Sequence, residues 1–150
     1  MSTQRIILPN DILLAEVNSM LKEGRSVILM TKGNSMLPFI VGERDSVELV
    51  RTEAPEPGQI ALAQITPGHY VLHRVIAVKD GHVTLRGDGN LRGTESCTVD
   101  EVCGIATAVV HKNGSRTLCD TKAFARRSRI WASLPYIVRR YTLAIIRRLI

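Results

Sequence analysis

Four turn dipeptides, Pro57-Gly58, Pro67-Gly68, Asp80-Gly81 and Asn113-Gly114, constrain the fold of this chain more than any other feature. Between and beside them run short segments rich in Val, Ile, Leu and Thr, such as Tyr70 to Val78, Val83 to Arg86 and Val102 to Val110. A Gly in the second position of such a dipeptide supplies the positive φ that a tight hairpin turn demands. Segments this short and β-branched make poor helices and good strands. The middle of the chain is therefore predicted to be antiparallel β, with Asp80-Gly81 and Asn113-Gly114 as hairpin turns. Helical periodicity is confined to the two ends. Leu13, Leu14, Val17, Met20 and Leu21 share one face of a helix predicted over 11–23, which Gly24 ends. The regions 123–129 and 135–150 add helix after the last strand.

Within this framework two local motifs do not look structural. Gly33-Asn34-Ser35-Met36-Leu37-Pro38 places a long apolar Met in a Gly/Pro-punctuated turn, where no turn type asks for one. A serine hydroxyl at the rim of an apolar groove is the chemical reading; a loop whose Met fills the core is the structural one, and Met36 suits either. Thirty-eight residues beyond Ser35, His73-Arg74-Val75 sits inside a predicted strand, and the returning strand delivers Gly87-Asp88-Gly89-Asn90 at its end. A serine, a histidine and an acid thus stand on a loop, a strand and a strand terminus, the rigid mounting that catalysis requires.

Taken with the segment Asp45 to Val50, these blocks resemble, in order and spacing, the type I signal peptidase superfamily of serine peptidases, which shares its fold with LexA-like self-cleaving repressors. The resemblance spans about residues 25 to 111. It implies a mainly β fold, a coiled, partly closed antiparallel barrel, carrying here a short N-terminal helix and a basic amphipathic C-terminal helix. Most bacterial members have a lysine where this chain has His73; a histidine there is similar to the archaeal and endoplasmic-reticulum branch. The resemblance implies Ser35 as nucleophile, His73 as general base, and Gly33, Met36 and Pro38 as substrate-binding positions. It makes the Ser35 backbone N–H one oxyanion donor and leaves the second open. Relatives of the His branch carry an acid about six positions after the Gly-Asp pair, where this chain has Thr94 followed by Glu95. The group orienting His73 is therefore expected to be Asp88, with Glu95 as the alternative.

The chemistry is coherent by itself. A serine hydroxyl is a weak nucleophile until a neighbour takes its proton. An imidazole, with an unperturbed pKa near 6.5, can accept and return that proton, and works best when a carboxylate fixes its tautomer. His69 and His82 read as solvated strand-end residues and His111 as a surface residue beside a turn. Strand alternation turns Arg74 to the face opposite His73, where pairing with a carboxylate is expected. Lys32 and Lys79 fall outside the base position.

The remaining composition bounds the setting. The 150 residues suffice for one domain with a real core. Cys97, Cys103 and Cys119 form no CxxC pair, and their odd number argues against a disulfide framework; nothing suggests a metal or other cofactor. Residues 121–150 hold eight Lys and Arg and no acid, whereas the remaining 120 residues hold 12 basic against 14 acidic side chains. The chain thus divides into a β-domain, 1–120, and a basic amphipathic segment, 121–150. In that segment Leu134, Val138, Tyr141, Ile145 and Leu149 recur at helical spacing, and Trp131, Tyr136 and Tyr141 suit a headgroup boundary. Peripheral membrane contact through 129–150 is expected, against docking on the protein's own surface; nucleic acid leaves the apolar stripe unexplained. No apolar run reaches the roughly 20 residues of a spanning helix. Arg5 is followed only by Ile6-Ile7-Leu8 before Pro9, which is not a secretory signal pattern. The expectation is a cytoplasmic serine endopeptidase, peripheral on the inner membrane face, that cleaves a precursor peptide or protein. The competing readings are a catalytically silent peptide-binding β-domain and a self-cleaving regulator.

Overall fold

The computed structural model describes residues 10–150, so the Arg5 to Pro9 segment and its reading as other than an export signal lie outside the described residues. Helix α1 (Asn10–Lys22) is followed by eight strands, β1 (Val27–Met30), β2 (Ser46–Val50), β3 (Ile60–Thr66), β4 (His69–Lys79), β5 (His82–Arg86), β6 (Glu95–Thr98), β7 (Val102–Val110) and β8 (Arg116–Leu118). Helices α2 (Lys122–Ser133) and α3 (Tyr136–Leu149) close the chain. The turn dipeptides behave as their chemistry dictates. Asp80 and Gly81 both take positive φ, 52° and 77°, as the β4–β5 hairpin requires. Gly58, Gly68 and Gly114 are likewise left-handed.

All strand pairs are antiparallel, in the order β1-β2-β7-β3-β4-β5-β6, with β8 added to β7. The sheet does not close, because β1 and β6 stand at opposite ends of that order. Bulges in the pairings of β2 with β7, β3 with β4, β3 with β7 and β4 with β5 bend it instead. The apolar face is covered by α1, whose Val17 and Leu21 sink into a cluster with Val47, Leu49, Ile60 and Leu62. A second cluster, Val75, Val83, Leu85, Cys97 and Val102, fills the other end of the sheet.

The C-terminal segment is two helices meeting at Pro135. Proline disfavours the helical region for the residue before it, and Leu134 is accordingly extended, with ψ 145°. Of the stripe expected for 134–149, Leu134 is half-buried while Val138, Tyr141, Ile145 and Leu149 face outward; the residue that sinks into the core is Leu143, outside that stripe, at 1% exposure. Trp131, expected at a headgroup boundary, is instead buried with Leu37, Val41 and Leu143.

One buried carboxylate shapes the long loop between β1 and β2. Asp45 has no exposed surface, and its Oδ2 accepts from the Val41 N–H at 2.9 Å, while Arg44 Nε and Nη2 donate to the two oxygens at 2.9 Å. His111 Nδ1 lies 3.3 Å from Oδ1 and its Nε2 2.7 Å from Thr117 Oγ1, so His111 is a half-buried partner and not the surface residue expected. Thr31 Oγ1 donates to the Asp45 carbonyl at 2.7 Å, tying the two ends of the loop together. Gly42 packs so closely on Gly33 that any Cβ there would overlap the Gly33 backbone. Burial alone would raise the Asp45 carboxyl, but the hydrogen bonds from Arg44, Val41 and His111 outweigh it and hold the group below its ordinary value. A carboxylate depressed in the folded state adds stability above its unfolded value of about 4, and that stability is lost as pH falls through the folded value. Asp45→Asn is therefore expected to flatten the acid limb of a denaturation-against-pH profile. At neutral pH it should cost on the order of 1–3 kcal/mol, the range for a buried polar partner left unmade.

Candidate active site

The loop held by Asp45 presents Gly33 to Pro38. Gly33 takes φ +71°, and the residues after Ser35 wind into a short helical turn in which the Phe39 and Ile40 amides both donate to the Met36 carbonyl at 3.0 Å. Met36 and Leu37 are buried and Ser35 is half-exposed, so the turn is anchored by its apolar residues. Beside it lies a groove of about 540 Å³. Ser35 and His73 both line it, with Leu14, Leu29, Met36, Leu62, Tyr70 and Leu72. Met36 thus serves both roles open to it, wall and filler, and Gly33 also borders the groove. Pro38, expected to contact substrate, does not line it; it follows the fully buried Leu37 and leads back toward the core residue Ile40.

His73 is buried in β4, with Nδ1 2.5 Å from Glu95 Oε1. This corrects the expected assignment of Asp88 to that place. Asp88 binds Arg74, with Nη2 to Oδ2 at 2.6 Å and Nε to Oδ1 at 3.2 Å. The cause is one residue of register. From Lys79↔His82 the hairpin runs regularly to Ala77↔Thr84, and continuation would set Asp88 opposite His73. A bulge between Val75 and Ala77 shifts the pairing to Val75↔Leu85 and Arg74↔Arg86. A one-residue slip reverses faces, so Asp88 is delivered to Arg74 and not to His73. Glu95 lies opposite Leu85, which lies opposite Val75, placing Glu95 on the face that His73 shares with Val75.

The glycines of the Gly87-Asp88-Gly89 block explain themselves by contact. A Cβ on Gly87 would overlap the Ser35 carbonyl and sit 3.2 Å from His73 Cδ2; one on Gly89 would sit 2.8 Å from the Asn34 carbonyl. The loop can therefore press directly under the Ser35 turn, where the Gly89 N–H donates to the Ser35 carbonyl at 2.8 Å. Asp88 N–H reaches Met36 Sδ at 3.5 Å. From behind, Trp131 Nε1 donates to the Asp88 carbonyl at 2.9 Å, so α2 braces the same loop. Arg74 is enclosed between the rings of Phe39 and Phe124, 5.2 and 5.4 Å from their centroids, and donates to the Gly58 carbonyl at 2.9 Å.

Ser35 and His73 are thus brought to one groove, and the Glu95 carboxylate engages the His73 ring. With Nδ1 engaged by Glu95, Nε2 is the nitrogen left for the serine. No hydrogen bond joins Ser35 Oγ to Nε2 among the described residues, and the Ser35 amide N–H is likewise unengaged. His69 and His82 stand exposed at strand ends. The cysteines offer no competing nucleophile, since burial pushes each of the three thiols up to about 11. The α1 side chains Leu13 and Leu14 also line the groove, a contribution that their helical periodicity alone could not distinguish from ordinary core packing. Neither a protein-family model nor a curated protein sequence matches this chain.

Proposed function

We propose that the chain is a serine endopeptidase of the signal peptidase and LexA-like kind, with Ser35 as nucleophile, His73 as general base and Glu95 as the carboxylate that orients the ring. The observation that carries this reading is the engagement of His73 Nδ1 by Glu95 on a ring that faces the same groove as Ser35. That arrangement selects the tautomer in which Nε2 is an acceptor. Ser35 Oγ attacks the scissile carbonyl while Nε2 takes its proton, and Glu95 steadies the imidazolium that forms. The unengaged Ser35 N–H donates to the developing oxyanion. The imidazolium then protonates the departing amine, leaving an acyl-serine that water hydrolyses with the same base.

The substrate is a precursor peptide or protein presenting an extended segment. Among the described residues strand β1 pairs on one side only, with β2, and its Leu29 and Met30 border the groove. An added substrate strand along that open edge would satisfy its backbone groups and lay its side chains on an apolar floor. A fluorophosphonate probe should acylate the wild-type protein at Ser35, located by peptide mass spectrometry. Loss of labelling in Ser35→Ala, together with cleavage of candidate precursors by wild type alone, supports the reading. A Ser35 hydroxyl inert to the probe would instead favour a groove that binds peptides without cutting them.

A further inference from the structure

We propose that the outer face of α3 docks on an anionic phospholipid bilayer, a surface that does not depend on the peptidase reading. Helix α3 packs on the domain through Leu143, with Ile146 partly buried beside it. Its opposite arc is apolar and unpartnered among the described residues. Ile137, Val138, Tyr141, Ile145 and Leu149 are between 42% and 79% exposed, although their neighbours in sequence offer four arginines that could have stood there. Such a contiguous arc on a helix about 21 Å long is more than the scattered apolar residues of an ordinary surface.

Charge gathers along one flank of that arc. Arg92, Arg140 and Arg147 meet in a crevice of about 340 Å³ whose lining includes no acidic residue. None of the three forms an ion pair among the described residues, and α2 and α3 contain no Asp or Glu. Tyr136 stands in the same crevice with its ring 5.5 Å from Arg92 Cζ, an aromatic beside cationic groups at the edge of an apolar strip. Three guanidinium groups without carboxylates fit phosphate oxygens, and the adjoining arc fits the acyl boundary beneath them. Duplex nucleic acid would use the arginines and leave the apolar arc in water. A second copy would bury the arc but bring two arginine clusters together. No helix among the described residues is long and apolar enough to cross a membrane, so the contact is in-plane.

The full chain should be floated with neutral phosphatidylcholine vesicles and with vesicles in which about one lipid in four is phosphatidylglycerol, at roughly 0.1 M salt. Each arginine at an anionic surface strengthens binding about five-fold. Arg92→Gln/Arg140→Gln/Arg147→Gln should therefore weaken binding to the anionic vesicles roughly a hundred-fold and abolish the preference over neutral ones. Tyr141→Ser/Ile145→Ser should weaken binding to anionic vesicles with the arginines intact. All five side chains are exposed, so both variants should melt as the wild type does. Equal wild-type flotation with both vesicle types, or anionic binding unchanged in the arginine variant, overturns the proposal. So does a lipid-free dimer dissolved by Tyr141→Ser/Ile145→Ser, or duplex DNA held by the same arginines with vesicles unbound. Ser35→Ala should float like the wild type, which separates failure here from failure of the peptidase reading.

Discussion

Replacing Glu95 with glutamine is expected to slow acylation of Ser35 by a fluorophosphonate probe about 10²–10³-fold. Loss of the equivalent charge, where the carboxylate behind the imidazole is buried, costs about 10⁴-fold. The Glu95 side chain is 29% exposed, so solvent recovers part of the loss. The amide can donate to Nδ1, favouring the tautomer in which Nε2 carries a proton and can no longer take one from the serine. Asp88→Asn is the necessary comparison. Asp88 touches Arg74 and the support of the Ser35 turn, but not the imidazole, so its replacement should lower stability and leave the acylation rate of the folded protein within about ten-fold. If the two variants exchange these outcomes, Asp88 is the orienting acid and the assignment of Glu95 fails.

Arg74→Met should lower stability by about 3–5 kcal/mol, the cost of stranding one member of a buried ion pair. The pair qualifies, because the side chains are only 8% and 11% exposed and the guanidinium is enclosed by two phenyl rings. For a chain of this length that corresponds to a fall in melting temperature of roughly 10 °C. Most of the penalty belongs to the abandoned Asp88 carboxylate, so Arg74→Met/Asp88→Leu should melt above Arg74→Met alone. A single variant that melts within about two degrees of wild type would show that this pair does not hold β4 against α2.

These two carboxylates also mark where the sequence was and was not legible. The hairpin at Asp80-Gly81, the strands on either side of it and the amphipathic α1 were readable because each rests on local chemistry, a turn residue or a periodicity. Ser35 and His73 were readable as a pair because Gly33 to Pro38 and His73-Arg74-Val75 stand in the order and spacing of the family they resemble, and the two side chains line one groove. The acid was not readable, because its identity turns on an unpaired residue near Ile76 that no residue type announces. The glycines beside Asp88 could have been read as close-approach positions, since two flank a single acid, but their neighbours come from a loop some fifty residues away. The tail was legible in its charge and helicity. Which apolar residues faced inward was not, because Leu143 and Trp131 answer to Leu37 and Val41, residues that no helical pattern can see.

Leu37 stands two residues beyond Ser35 and is wholly enclosed with Trp131 and Leu143. The pedestal beneath the Ser35 hydroxyl is therefore shared property, half of it owned by the C-terminal hairpin. A partner that levered that hairpin aside, or a nick between its two arms, would tilt the alcohol without touching the groove.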